Sequence, residues 1–136
     1  MNEILLMIGD LPVRVSDALI GLGVLALILL MYLVLGCLMD AMAMVILTVP
    51  IVFPVVTALG FDPIWFGIII VMTVELGLIH PPVGMNVFVI KSVIKDVNMS
   101  TIFVGVLPFV ITDLIRLVIL ILFPLLATWL PQRMIG

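Results

Sequence analysis

The sequence predicts an all-α integral membrane protein with several spanning helices, a re-entrant helical hairpin and one helix broken by prolines. Three observations predict it. Apolar residues make up 66% of the 136 residues and charged ones only 10%, at a mean hydropathy of +1.60. Soluble domains sit near about 45–50% apolar and about 25% charged. Four long apolar stretches follow one another with short polar interruptions. Within the third, His80-Pro81-Pro82-Val83-Gly84 interrupts the run; its prolines remove two backbone donors and clash with the preceding turn.

Residues 1–17 hold Glu3, Asp10, Arg14 and Asp17 around Gly9 and Pro12 and read as an interfacial lead-in. They lack the basic start and small-residue cleavage site of a secretory signal. Residues 18–39 carry no charge and match the length that spans a bilayer core. The spanning helix is placed at 18–36 and a hairpin at 37–60. Over 41–61, Pro50 and Pro54 interrupt an uncharged run to which Thr48 and Thr57 add hydroxyls. A straight span tolerates one such proline more readily than both, so a re-entrant hairpin turning near Pro50 suits the pattern at least as well.

Asp62-Pro63 signals the next helix start, with a capping carboxylate and a first-turn proline. As one straight helix, residues 63–95 would extend about 50 Å, against a hydrocarbon core about 30 Å thick. The 80–84 break resolves the excess by dividing the run into two helical halves, with Val71 expected in the packed first half. Lys91, Lys95, Asp96 and Asn98 make 91–100 a polar loop. Over 99–130, Pro108 is expected to separate a short amphipathic piece from a final spanning helix. Trp129, beside Pro131 and Arg133, fits an interfacial anchor.

The net charge of −3 forms no basic stripe, so nucleic-acid binding has no support. One cysteine, Cys37, excludes an internal disulfide framework and a multi-cysteine metal site; among apolar neighbours it reads as buried and structural. The ten methionines form no regular Met-x-x-Met array and read as packing. His80, the one histidine, lacks the partner of an H-E-x-x-H site, and no G-x-S-x-G motif occurs. The chain is not expected to be an enzyme.

Freed carbonyls and amides in hydrocarbon need a protein, water or ion partner. A break of this kind therefore lines a cavity, and in transporters it often holds cargo or the coupling ion. Asp40 reads either as a cap for the following helix or as a cation ligand, with Gly36 one turn before it. Glu75 is either a paired or water-facing structural acid or part of an ion pathway. His80 is expected to hydrogen-bond at the break. Asp113 and Arg116 share a helix face and read as an internal ion pair.

Longer motifs now come into order. Gly36-Cys37-Leu38-Met39-Asp40-Ala41, Thr48-Val49-Pro50-Ile51-Val52-Phe53-Pro54, Ala58-Leu59-Gly60-Phe61-Asp62-Pro63 and Phe66-Gly67 are followed by Gly77-Leu78-Ile79-His80-Pro81-Pro82-Val83-Gly84-Met85-Asn86-Val87-Phe88-Val89. Leu107-Pro108-Phe109, Asp113, Arg116, Phe123-Pro124 and Trp129-Leu130-Pro131 close the chain. From Gly9 onward this order and spacing resembles the large membrane subunit of the tripartite ATP-independent periplasmic (TRAP) transporters.

The resemblance implies the second of two inverted repeats, each with a hairpin and a broken helix, in an elevator-type permease of the bacterial inner membrane. It implies sodium as coupling ion, with no other cofactor, for uptake of small organic acids such as C4-dicarboxylates or sialic acids. The implied partners are a small membrane subunit, a periplasmic substrate-binding protein, the first repeat of the large subunit and membrane lipid. Gly36, Asp40, His80, Pro81, Pro82 and Gly84 would fall at a sodium site, and Thr48 and Asn86 on the substrate side. Many members carry threonine where this chain has His80, so a hydroxyl ligand is absent or replaced by backbone. Because repeats build the site at their interface, this chain alone is expected to be inactive. The rival reading is a small structural or assembly membrane protein whose prolines merely shape helices.

Overall fold

A computed structural model describes the backbone of residues 2–135 and the side chains of residues 14–135. The described residues form six helices and no strand: α1 (Asn2–Leu38), α2 (Ala41–Ala58), α3 (Pro63–Ile79), α4 (Met85–Val93), α5 (Met99–Leu122) and α6 (Leu125–Ile135). Residues 2–17 of the lead-in are the first turns of α1; Met1 lies outside the described residues. At 37 residues, α1 extends about 55 Å, more than a hydrocarbon core. Its Arg14–Leu38 part, with α2 and α5, is long and apolar enough to cross a membrane.

The hairpin turns elsewhere than expected. α2 runs unbroken through Pro50 and Pro54, and the helical path is interrupted ten residues earlier, at Met39-Asp40. Asp40 Oδ2 accepts from the amides of Met42 and Ala43 at 3.1 and 3.2 Å, satisfying donors that a helix start leaves orphaned. That local gain sets the start. Each internal proline removes only one ladder bond, and the Thr48 and Thr57 hydroxyls bond nearby carbonyls, Met44 O at 2.6 Å and Phe53 O at 3.0 Å. In apolar surroundings a full break would free more groups than the proline itself does. Across the apex, the Tyr32 and Thr48 hydroxyls are 2.6 Å apart, which folds α2 back beside the end of α1.

α3 is the central helix. Asp62 Oδ1 accepts from Ile64 and Trp65 N at 2.8 and 3.1 Å, with Pro63 in the first turn. Trp65, Phe66, Ile69, Ile70, Thr73, Val74, Leu76 and Gly77 are buried, chiefly against α1 and also against α2, α5 and α6. Trp65 Nε1 donates to Leu120 O at 2.8 Å, fastening α3 to α5. Val71, expected to be packed, is 55% exposed. It sits on the one face of α3 that no described element covers.

The loop between α4 and α5 is closed by Lys91 Nζ, which donates to Lys95 O and Val97 O at 2.9 and 2.6 Å. The expected division at Pro108 does not occur. α5 passes through it, with Thr112 Oγ1 donating to Pro108 O at 2.8 Å. The break falls at Phe123-Pro124 instead. Turning there lets Ala127 and Thr128 of α6 become buried, with α6 against α3, a gain that a break at Pro108 would not offer. Arg116 and Asp113 form the expected pair at 3.3 Å, and Arg133 lies 5.6 Å over the Trp129 ring.

Large exposed apolar side chains crowd α1, α2 and α5. No water-soluble domain presents so much apolar surface; these faces suit lipid or neighbouring membrane helices.

Candidate functional site

Two helix breaks face each other. α1 and α3 cross two residues before they end, at Gly36 and Gly77, backbone against backbone. A Cβ on Gly77 would lie 2.9 Å from Gly36 Cα, and one on Gly36 would lie 3.2 Å from Gly77 Cα. Only paired glycines allow this approach. It carries the Met39-Asp40 apex to the 80–84 break, where the buried Cys37 thiol donates to His80 O at 3.7 Å. A cleft of about 370 Å³ lies at the contact, lined by Leu30, Leu33, Val34, Cys37, Leu38, His80, Pro81, Pro82 and Val83.

The break itself presents oxygen. Pro81 and Pro82 carry no N–H, so the carbonyls of Gly77 and Leu78 lose their helical donors. His80 N recovers Gly77 O at 3.4 Å. Leu78 O and His80 O both stand 3.3 Å from the point a Gly84 Cβ would occupy, and Gly84 has φ +55°. A side chain there would be strained and would crowd both oxygens. The two carbonyls thus converge at the C-terminal end of α3, where the helix dipole is negative and favours a cation. On the other side of the break, α4 starts at Gly84 without a side-chain cap. A helix N-terminus of this kind favours an anion.

This donor set is hard and neutral, suited to an oxygen-ligated cation rather than a soft metal. Among the described residues no group of three or more His, Cys, Asp or Glu could hold a metal ion.

The predicted residues divide into two sets. Gly36, His80, Pro81, Pro82 and Gly84 come together around the facing breaks. Asp40 is at the apex, with one carboxylate oxygen engaged in the α2 cap. Thr48 is engaged within the hairpin by Tyr32 and Met44 O. Asn86 is exposed in the first turn of α4. His80 Nδ1 is buried with no hydrogen-bond partner, so the expected side-chain bond at the break is not made by that atom. Glu75 is exposed and unpaired among the described residues.

Two contributors are not evident from the sequence motifs. Gly77 opens the longest motif, yet its role is close approach; a glycine inside an apolar helix is the available signal. Tyr32, the single tyrosine, is fully buried and ties the hairpin together; a lone hydroxyl in an uncharged span is its signal.

A hairpin apex set against a broken helix, both within apolar helices, defines an integral membrane protein with discontinuous helices. The family model for the tripartite ATP-independent periplasmic transporter, DctM component, matches residues 1–126, and the chain belongs to that family. The C4-dicarboxylate TRAP transporter large permease protein of Vibrio cholerae is 34% identical over 131 residues, covering 93% of this chain and 29% of that protein. The sialic acid TRAP transporter permease protein of Haemophilus influenzae is 33% identical over 134 residues, 98% of this chain and 21% of that protein. The corresponding C4-dicarboxylate permease of Rhodobacter capsulatus is 38% identical over 97 residues, 71% of this chain and 22% of that protein. The chain thus spans less than a third of the length of these curated relatives. They are permeases and not enzymes.

Proposed function

We propose that this chain supplies one repeat of a TRAP large permease in the bacterial inner membrane, serving sodium-coupled, elevator-type uptake of small organic acids. The supporting observation is the apposition of the hairpin apex to the His80-Pro81-Pro82-Val83-Gly84 break through Gly36 and Gly77. It gathers a cation-favouring helix end and an anion-favouring helix end in one place. Sodium would be held by the carbonyls around Gly84, with Gly36 and Pro81-Pro82 setting the backbone path and Asp40 adding charge at the apex. A carboxylate substrate would meet the first turn of α4 at Asn86, which offers both a donor and an acceptor. Thr48 serves the hairpin that presents the apex. The carboxylates of the relatives' named substrates, C4-dicarboxylate and sialic acid, fit an anion-favouring helix start. A small membrane subunit and a periplasmic binding protein complete the system.

The test is uptake of labelled C4-dicarboxylates and sialic acid by proteoliposomes holding the complete permease, its small subunit and binding protein, with and without a sodium gradient. Uptake should require the gradient, and this chain reconstituted alone should show none. Gradient-independent uptake by the complete system would overturn the sodium reading, and robust uptake by this chain alone would overturn the repeat reading. No uptake of any organic acid would favour the structural-protein reading.

A further inference from the structure

α3 is buried on every side but one. Ile64, Gly67, Val71 and Glu75 are exposed, and their spacing of three, four and four residues sets them in one stripe along the helix. Beside the stripe runs a groove of about 250 Å³ between α2 and α3, lined by Val45, Val49, Phe53, Phe66, Gly67 and Val71.

Two features of the stripe do not suit lipid. Glu75 makes no hydrogen bond or ion pair among the described residues. It lies about 18 Å along the helix axis from the Asp62-capped start, a depth near the middle of a core about 30 Å thick when that polar start sits at the membrane surface. Ionisable groups at that depth face a protein interior or a water-filled cavity. Gly67, in turn, weakens a helix interior without compensation inside this chain, because a Cβ there would meet nothing within 4 Å. Elsewhere in the same helix, Gly77 shows what such a residue allows: another helix backbone in direct contact.

We propose that this face seats a transmembrane helix from the remainder of the permease, packed closely at Gly67 and presenting a basic, amide or hydroxyl donor to Glu75. The inference rests on the family membership and not on the sodium reading. Most of a permease of this family lies outside these residues, since the chain covers 29% of the Vibrio cholerae relative. The carboxylate fixes the chemistry of the occupant. A second copy docking through the same stripe would bring two carboxylates together, and like charges in an apolar setting repel strongly.

The experiment expresses the full chain with an affinity tag beside the remainder of its permease as a separate polypeptide, and measures co-purification in mild detergent. Glu75→Leu and Gly67→Leu should each lower the recovered remainder by about tenfold, and Glu75→Gln by less, because it still accepts a hydrogen bond. Thermal unfolding of the tagged chain alone should be no worse for Glu75→Leu than for the parent, which separates lost docking from lost folding. A nitroxide on Val71→Cys in a Cys37→Ala background should be open to oxygen in the chain alone, then immobilised and shielded once the remainder binds. Unchanged co-purification in both leucine variants would overturn the proposal. So would access of a water-soluble nickel chelate to position 71 in the assembly, which would make the face a water-filled pathway. Shielding in the chain alone that grows with its concentration would assign the face to a second copy, and would also overturn it. None of these readouts uses sodium or uptake, so loss of the transport reading would leave them untouched.

Discussion

Replacing Gly77 by alanine puts a methyl group into the α1–α3 crossing where no side chain can yield. The new carbon would sit 2.9 Å from Gly36 Cα, 3.0 Å from Leu33 O and 3.1 Å from Gly36 C, all backbone atoms of α1. Ordinary contact begins at 3.4 Å, so the helices must part by about 0.5 Å, and a gap of that size forfeits about a quarter of each dispersion contact. Overpacking of this kind costs about 1–3 kcal/mol. Alanine returns about 0.5–1 kcal/mol of helix preference. The net expectation is a loss of about 1 kcal/mol, reaching about 2.5 kcal/mol where the helices cannot yield. Gly36→Ala should cost less, because its Cβ would meet Gly77 Cα at 3.2 Å. Gly67→Ala, with nothing within 4 Å, should keep only the helix gain. Denaturation by sodium dodecyl sulfate in mixed micelles, followed by circular dichroism, should rank the chain with Gly67→Ala first, then the parent, Gly36→Ala and Gly77→Ala. If Gly77→Ala were as stable as Gly67→Ala, the helices would not touch at these glycines and the apposition of the breaks would fall with them.

Tyr32→Phe should cost about 0.5–1.5 kcal/mol through the lost Thr48 bond, and Thr48→Val about 1–3 kcal/mol by stranding a buried phenol. The double variant should recover part of this, and a double-mutant cycle without coupling would refute the bond. Asp40→Ala should destabilise α2 by about 1 kcal/mol while Asp40→Asn keeps the cap. In the complete permease, Asp40→Asn should weaken the sodium dependence of uptake, and an unchanged sodium titration would leave Asp40 as a cap alone. Gly84→Ala should cost about 1–2 kcal/mol from its left-handed backbone, and should raise the sodium concentration needed for half-maximal uptake. Unaltered sodium affinity would place the cation away from the Leu78 and His80 carbonyls.

Much of the candidate site is legible in local chemistry. Asp62 marks a helix start because a short carboxylate satisfies amides that the first turn leaves open, and the same chemistry makes a cap one of the two readings of Asp40. The 80–84 break follows from two adjacent missing donors and from a run too long for the bilayer. Positions governed by partners far along the chain are less legible. Val71 reads as packed because its whole neighbourhood is apolar, and in a membrane protein an apolar side chain is equally at home against lipid, so composition no longer distinguishes inside from outside. The same loss of contrast hides Gly77, whose partner Gly36 lies a whole hairpin earlier.

The sequence by itself determined the membrane class, the helix start at Asp62 and the location of the broken helix. Each depends on groups within a few residues of one another. Tertiary structure alone decided which prolines end a helix. Pro50, Pro54 and Pro108 each lose one ladder bond and the helix continues, whereas at Pro124 a turn is offset by packing α6 on α3. It also decided that the hairpin turns at Met39-Asp40 and meets the other break, since that meeting needs two glycine backbones in contact and a buried tyrosine holding α2 beside α1. A single missing donor is a small local cost, and only the packing open to the segments on either side of it determines whether the chain goes straight or turns.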